Sequence, residues 1–239
     1  MTERTKENLT LTPRLQAIAD RVSNGARLVD VGTDHGHLPL WLLTQGRLTS
    51  AIASDLREGP LTHAQENARL HGLSSFVQFR LAAGLDGVLP SECDTISIAG
   101  MGGETIIEIL QAAPWTARGN HTLLLQPMTM LPQLRQWLWQ NGYEIEEETV
   151  CTEGKRHYLV WTVRGGTTCK MVALPDCYFS SALLCAPRAD IYLTALLRRE
   201  QYVLAGMKRG QQVSKEQLMQ QQAVVQTLQT VLEEQICQR

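Results

Sequence analysis

The sequence predicts an α/β fold: a mostly parallel, Rossmann-like sheet closed by an antiparallel hairpin, followed by a small helical C-terminal domain. Five short apolar runs, Leu28–Val31, Ala51–Ser54, Phe76–Phe79, Thr95–Ile98 and Thr122–Leu125, alternate with segments of helical spacing. That alternation is the pattern of a parallel sheet covered on both faces. After Gly142 come two strand-like runs, Tyr143–Val150 and His157–Val163, around the turn Glu153-Gly154-Lys155, which reads as a hairpin. Beyond the turn-rich Arg164-Gly-Gly-Thr-Thr only helical patterns remain. The expected division is therefore 1–165 for the sheet domain and 166–239 for the helical one.

The elements follow in order. A leading helix from Pro13 to Val22 has Thr12 as N-cap and Pro13 at its first position. Leu15, Ile18, Ala19 and Val22 form one face, expected to pack on the sheet edge or cap a ligand pocket. The helices between strands read as Leu38–Gln45, Leu61–His71, Thr105–Ala112 and Leu131–Asn141, with Gly46, Gly72 and Gly142 as stops. In the second part, Ile191–Met207 presents Leu193, Leu196, Leu197, Leu204 and Met207. Gln217–Ile236 presents Leu218, Val225, Leu228, Val231 or Leu232, and Ile236. Spacing of three and four with Gln-rich outer positions suits a helical hairpin or short coiled coil bent at Gly206 and Gly210. Two surface helices packed back on the sheet are the alternative.

At 239 residues and 44% apolar composition the chain can bury a full core. No run of about 18 apolar residues occurs, and MTERTKENLT carries charges where a signal peptide needs an apolar segment. A cytoplasmic location is expected. Six cysteines without a C-x-x-C pair argue against a zinc site or a disulfide framework. Net charge is −2, yet Arg188, Arg198, Arg199, Lys208, Arg209 and Lys215 meet only Asp190 and Glu200 between 188 and 215. This is the footprint of a nucleic-acid contact or, alternatively, a solvated helix face.

The chemistry concentrates at strand ends. Arg27 to Leu40, RLVDVGTDHGHLPL, reads as a buried strand, a tight glycine loop and a helix start. Such a loop offers backbone N–H groups and a helix N-terminus to a nucleotide-type cofactor. A dinucleotide fingerprint needs G-x-G-x-x-G, whereas here Gly32 and Gly36 stand four apart, with Asp34 and His35 between them. A carboxylate there repels a pyrophosphate and suits the cationic end of S-adenosylmethionine (SAM), whose sulfonium and amino group are both positive. The plain alternative is a sharp turn with a solvated Asp. Twenty-five residues after Asp30 the second strand ends in Ser54-Asp55. An acid at that tip accepts both ribose hydroxyls of a bound nucleotide, or simply N-caps the next helix. Ile98-Ala-Gly-Met-Gly-Gly103 places three glycines in four positions after the fourth strand, which lets backbone approach a ligand. Gly32–Gly36 is expected to face Gly100–Gly103 across the cofactor. Leu125-Gln126-Pro127-Met128 ends the fifth strand with a polar residue before proline, either an acceptor-holding group or a strand terminator.

With DVGTDHGHLP, SD, IAGMGG and LLQP in this order and spacing, the chain resembles the bacterial tRNA (adenine-N1)-methyltransferase family TrmK. The likeness runs nearly end to end, from LTPRLQAIAD through GKRHYLVW to the C-terminal helices. It implies a class I methyltransferase sheet, a coiled-coil-like helical domain, a groove between them for tRNA, and SAM-dependent methylation of N1 of adenine 22 in the D-arm. It implies that Asp30, Gly32 and Asp34 lie around the methionine and sulfonium end, Asp55 at the ribose, and Gly100 to Gly103 at the target base. Thr33, His35, Gly36, Leu56, Ala83, Gly84, Gly100, Met101 and Gly102 complete the expected cofactor contacts. Asp34, Gln126 and Met101 are the expected catalytic residues, and Arg188, Arg198, Arg199, Lys208 and Arg209 the expected RNA contacts. Two positions depart from the family pattern: Ala83-Gly84-Leu85 stands where it has Asp-Gly-Leu, and Met128 where it commonly has Asn. Backbone groups at Ala82–Ala83, or Asp86, are then left to contact adenine.

Adenine N1 already carries a lone pair, so the expected mechanism needs exposure, in-line alignment and exclusion of water rather than a strong base. Asp34 is expected to accept a hydrogen bond from the adenine N6 amino group and so stabilise the cationic product. His35 and His37 are expected to pack or hydrogen-bond rather than shuttle protons. Two other readings stay open: a methyltransferase on another acceptor, and an RNA-binding protein that kept the fold without the chemistry. The expected protein is a monomer that binds tRNA and SAM, without metal and without membrane association.

Overall fold

The computed structural model describes residues 9–210 and 212–237. Five parallel strands, β1 (Ala26–Val31), β2 (Leu48–Asp55), β3 (Val77–Leu81), β4 (Thr95–Gly102) and β5 (Thr122–Thr129), precede the hairpin β6 (Glu144–Glu153) and β7 (Arg156–Arg164). The sheet order is β3-β2-β1-β4-β5-β7-β6, so β7 lies antiparallel on β5 and β6 takes the edge. Helices α1 (Pro13–Ala19), α2 (His37–Thr44), α3 (Glu58–Leu70), α4 (Gly103–Ala112) and α5 (Leu131–Gln140) cover both faces. Val29, Val31, Ile96, Ile98, Leu123 and Leu125 pack in the core that includes α4 and α5. Leu28, Ala51, Ala53 and Leu124 pack in the core that includes α1 and α2. Burial on both faces is why these strands are apolar at successive positions rather than alternate ones.

The leading helix stops earlier than expected, at Ala19, with Asp20 as its C-cap, and Val22 is buried in the turn beyond. The fourth strand runs further than expected. Its glycine segment does not leave the sheet after Ile98 but continues through a bulge, pairing Met101 with Pro127 and Gly102 with Thr129. Gly100 makes the bulge at φ 73, a left-handed conformation that suits glycine.

After β7 the chain does not run free. Thr167 N–H donates to Gly142 O at 3.0 Å, Lys170 N–H to Trp139 O at 2.9 Å, and Gln136 Nε2 to Val172 O at 2.8 Å, so residues 167–172 lie along α5. A 3-10 turn (Leu174–Tyr178) and α6 (Ser181–Cys185) follow, then α7 (Ala189–Arg209) and α8 (Lys215–Cys237). The five residues of α6 are too few to show a helical period. What starts this helix is the Ser180 hydroxyl, which accepts from Leu183 N–H at 3.0 Å. Gly206 sits inside α7, and the bend begins at Gly210. The two long helices pack on each other, while Leu193, Leu196, Val224 and Leu228 also join the core under β4 and β5. The expected boundary at 165/166 thus separates two parts that share one apolar core. The expectation at Ile236 and the charged stretch before Leu9 fall outside the described side chains. Among the described residues no helix is long and apolar enough to cross a membrane.

Candidate active site

Strands β1 and β4 are neighbours at the point where the sheet order reverses, and their carboxyl ends open a crevice. The crevice is a cavity of about 530 Å³, walled by Gly32 after β1, Asp55 to Arg57 after β2, Ala82 to Gly84 and Asp86 after β3, Ala99 to Met101 on β4, and Thr105, Glu108 and Ile109 on α4. The loop after β1 is pinned to β2: Gly32 and Thr33 N–H both donate to Ser54 O, at 2.8 and 3.0 Å. Gly32 has φ 71, and a Cβ there would lie 2.2 Å from the Met101 methyl. Of the two glycine segments expected to face each other across the cofactor, Gly32 meets the Met101 side chain, while Gly36, Gly102 and Gly103 pack against other neighbours.

Asp55 stands buried on the wall, and its Oδ1 accepts from Arg57 N–H at 2.8 Å. Asp30 lies beneath the loop, off the wall, where its Oδ2 accepts from the Thr33 hydroxyl at 2.7 Å. Burial pushes the Asp30 carboxyl up to about 6, against the hydrogen bond from Thr33 and with a smaller upward push from Asp55. Gln126 is fully buried. Its Oε1 accepts from Gly100 N–H and from Arg14 Nη1, both at 3.1 Å, and its Nε2 donates to Pro127 O at 3.1 Å. Both ends of the amide are thus engaged inside the protein.

The cavity brings together Gly32, Asp55, Leu56, Ala83, Gly84, Gly100 and Met101 of the expected site. The others stand elsewhere for local reasons. Thr33 turns inward to Asp30, and Gly36 is the left-handed N-cap of α2. Gly102 continues the strand. The side chain of Asp34 is 82% exposed, its Oδ1 3.2 Å from His35 Nε2. His35 packs its ring 4.8 Å from His63, with Asn67 Nδ2 donating to its carbonyl at 3.0 Å. Of the expected RNA contacts, Arg188 begins α7 and donates to the Thr152 hydroxyl at 2.9 Å, tying that helix to the hairpin. Arg198 and Lys208 are exposed, Arg199 pairs with Glu200 at 2.7 Å, and Arg209 Nε donates to Ala205 O at 3.2 Å.

Arg14 escaped the sequence reading. Its N–H and Nε donate to the Glu153 carboxylate at 3.0 and 2.9 Å, its guanidinium lies 5.1 Å from the Tyr158 ring centre, and Nη1 reaches Gln126. The only sequence signal was the expectation that the leading helix approaches the pocket. Arg57, Thr105 and Glu108 also join the wall unannounced.

These residues fit SAM. The wall carries Asp55, Asp86 and Glu108 against the single cation Arg57, a balance that favours a cationic ligand over a phosphate. Asp55 ends β2 on this wall, and Ala82 to Gly84 line it after β3. Among the described residues no His, Cys, Asp and Glu cluster is arranged to hold a metal.

Comparison with known proteins agrees. Residues 11–161 match the family model described as a methyltransferase domain. The tRNA (adenine(22)-N(1))-methyltransferase of Bacillus subtilis is 34% identical over 158 residues, 66% of this chain and 66% of that protein. A Mycoplasma pneumoniae relative is matched over 61% of its length, so the chain spans just under two thirds of these curated relatives. Over whole structures the likeness is fuller. Sp1610 of Streptococcus pneumoniae, a candidate tRNA (m1A22) methyltransferase crystallised with SAM, is 31% identical with a TM-score of 0.80, covering 93% of this chain and 100% of that one. The B. subtilis m1A22 tRNA methyltransferase TrmK is 26% identical with a TM-score of 0.79, covering 96% and 100%. With the methyltransferase model over residues 11–161 and the two solved structures over 93% and 96% of its length, the chain belongs to the methyltransferase-domain family, among the TrmK-like bacterial tRNA (m1A22) methyltransferases.

Proposed function

We propose that this protein transfers the methyl group of SAM to N1 of adenine 22 in tRNA. The observation that carries the reading is the acid-rich cavity at the β1/β4 switch point, with Asp55 at the tip of β2, in a chain of this family. When bound there, SAM supplies an electrophilic methyl group on a sulfonium.

The remaining work falls to the chain's own residues. Asp55 accepts the ribose hydroxyl hydrogens, and the backbone of Ala82 to Gly84 meets the adenine of the cofactor. The Gly100–Met101 bulge borders the target base. Gln126 and Arg14 act behind it as positioning residues, since their hydrogen bonds fix where the Gly100 backbone stands. N1 needs no base to become nucleophilic, so holding it in line and dry supplies the rate, up to roughly 7–11 kcal/mol in the best intramolecular cases. N1 lies on the Watson–Crick edge, so the base must be unpaired or extruded, at a cost of a few kcal/mol. The exposed Asp34 carboxylate accepts from the N6 amino group on the substrate side. Asp34→Ala is therefore expected to slow single-turnover methylation by more than twofold at saturating SAM. The basic residues of α7 hold phosphates, and the protein acts as a cytoplasmic monomer without a metal.

Labelled methyl transfer to unmodified tRNA, followed by nucleoside analysis, tests the reading: 1-methyladenosine is the expected product. Methylated protein in its absence would move the assignment to another acceptor. Calorimetry showing no SAM binding would leave an RNA-binding protein.

A further inference from the structure

A second cavity, of about 380 Å³, opens between the β6–β7 hairpin and α7. We propose that it holds a nucleotide flanking the methylated adenine in the RNA chain; this deepens, and rests on, the reading that RNA is the substrate. Its rim begins at Pro127 and Met128, directly after Gln126, whose Oε1 fixes Gly100 on the wall of the first cavity. The end of β5 thus lines the second cavity and is hydrogen-bonded to the wall of the first, so an RNA strand delivering one base to the first passes the mouth of the second.

The two are sorted by charge. The first cavity carries three carboxylates and one arginine. The second has Lys155, Arg156 and His157 from the hairpin and Arg199 from α7, with no carboxylate on its wall. Arg199 pairs with Glu200, so in a chain of net charge −2 the charge offered to a ligand is chiefly that of Lys155 and Arg156, suited to a phosphodiester and repellent to the cationic cofactor. Tyr158 and Tyr192, with Leu159 and Leu196, supply the apolar and aromatic lining on which an unstacked base rests. Thr152 Oγ1 and His157 Nδ1 lie 2.9 Å apart across the hairpin, and Arg188 Nη2 donates to the same hydroxyl at 2.9 Å, so the hairpin and the start of α7 that flank the cavity are tied together.

The test is a double cycle between protein and RNA. Lys155 and Arg156 sit exposed at the hairpin turn, so Lys155→Gln with Arg156→Gln removes two charges without opening the core. The RNA is unmodified tRNA carrying uncharged methylphosphonate linkages on either side of the target adenosine. The paired substitution is expected to weaken tRNA binding, measured by filter binding without SAM, by roughly tenfold at low salt, with SAM affinity by calorimetry unchanged. The uncharged linkages weaken wild-type binding to a similar extent and the variant no further. Losses that simply multiply, a variant that binds tRNA like wild type, or a variant that loses SAM affinity would each overturn the assignment. Methyl transfer by the wild-type protein is scored separately: its absence counts against the reaction proposed above, and the cycle alone decides the cavity.

Discussion

At the scale of single residues, the wall of the site is positioned in part by groups that do not line it. Arg14 links Glu153, Gln126 and, through Gln126, the Gly100 bulge. Burial raises the Glu153 carboxyl, but the hydrogen bonds from Arg14 outweigh it and hold that group below the ordinary carboxylate range. Arg14→Met is expected to lower single-turnover methyl transfer roughly tenfold, as a misplaced acceptor wall would, while calorimetry finds SAM affinity within about twofold of wild type. Asp30 gives a pH-dependent prediction. Its pKa rises from 3.8 to about 6 in the fold, so between those values the native state holds more protons than the unfolded chain and stability falls as pH rises. The cost of the buried charge is fully present above pH 6 and relieved as pH drops toward 4. Asp30→Asn, which keeps an oxygen for the Thr33 hydroxyl, is expected to stabilise the protein by roughly 1–3 kcal/mol at pH 7.5 and by nothing at pH 4 in denaturant titrations. Asp55, Gly32 and Gly100 were legible in the sequence because their places at strand ends follow from topology. Thr33 and Gln126 were legible as polar residues near the site, but not in direction, since a loop motif does not say whether a side chain turns to the ligand or the core. Arg14 was not legible because its partners lie 112 and 139 residues away.

At the scale of elements, strand and helix periods foretold the parallel sheet, the hairpin and the long helices. They missed α6 and the continuation of β4. Glycine-rich sequence suggests a turn, yet the β4 end stays in the sheet because β5 still offers partners beyond Gln126. Proline at 127 has no N–H to give to that ladder, and Gln126 Oε1 takes the Gly100 N–H instead. Gly103 then starts α4 so close to the next loop that a Cβ would lie 2.8 Å from Met130 O and 2.9 Å from Thr129 O. These are backbone atoms that cannot turn aside. Gly103→Ala is expected to lower stability by about 1–3 kcal/mol, read as a lower thermal midpoint, and to weaken SAM binding because α4 walls the cavity.

At the scale of the whole molecule, a buried ion pair inside the sheet part anchors the beginning of the helical part. Arg135 on α5 and Glu148 on β6 are 1% and 0% exposed and meet at 2.8 Å. Arg135 also donates to Cys177 O and lies 4.7 Å from the Trp161 ring centre, while the Ser180 hydroxyl donates to Glu148. One charge pair thus holds α5, the hairpin and the approach to α6 together. Removing one partner leaves a buried charge alone, so Arg135→Met is expected to cost about 3–5 kcal/mol. The double change Arg135→Met with Glu148→Leu is expected to recover most of that, as chemical denaturation would show. Composition and turn residues predicted a seam at 165/166 because they report only local preferences. The contacts that cross it are long-range and lie in the apolar positions of α7 and α8. A shared core, with an ion pair buried beside it, spans sheet and helices. Under the reaction proposed above, the bending that brings a base to the pocket then falls to the RNA.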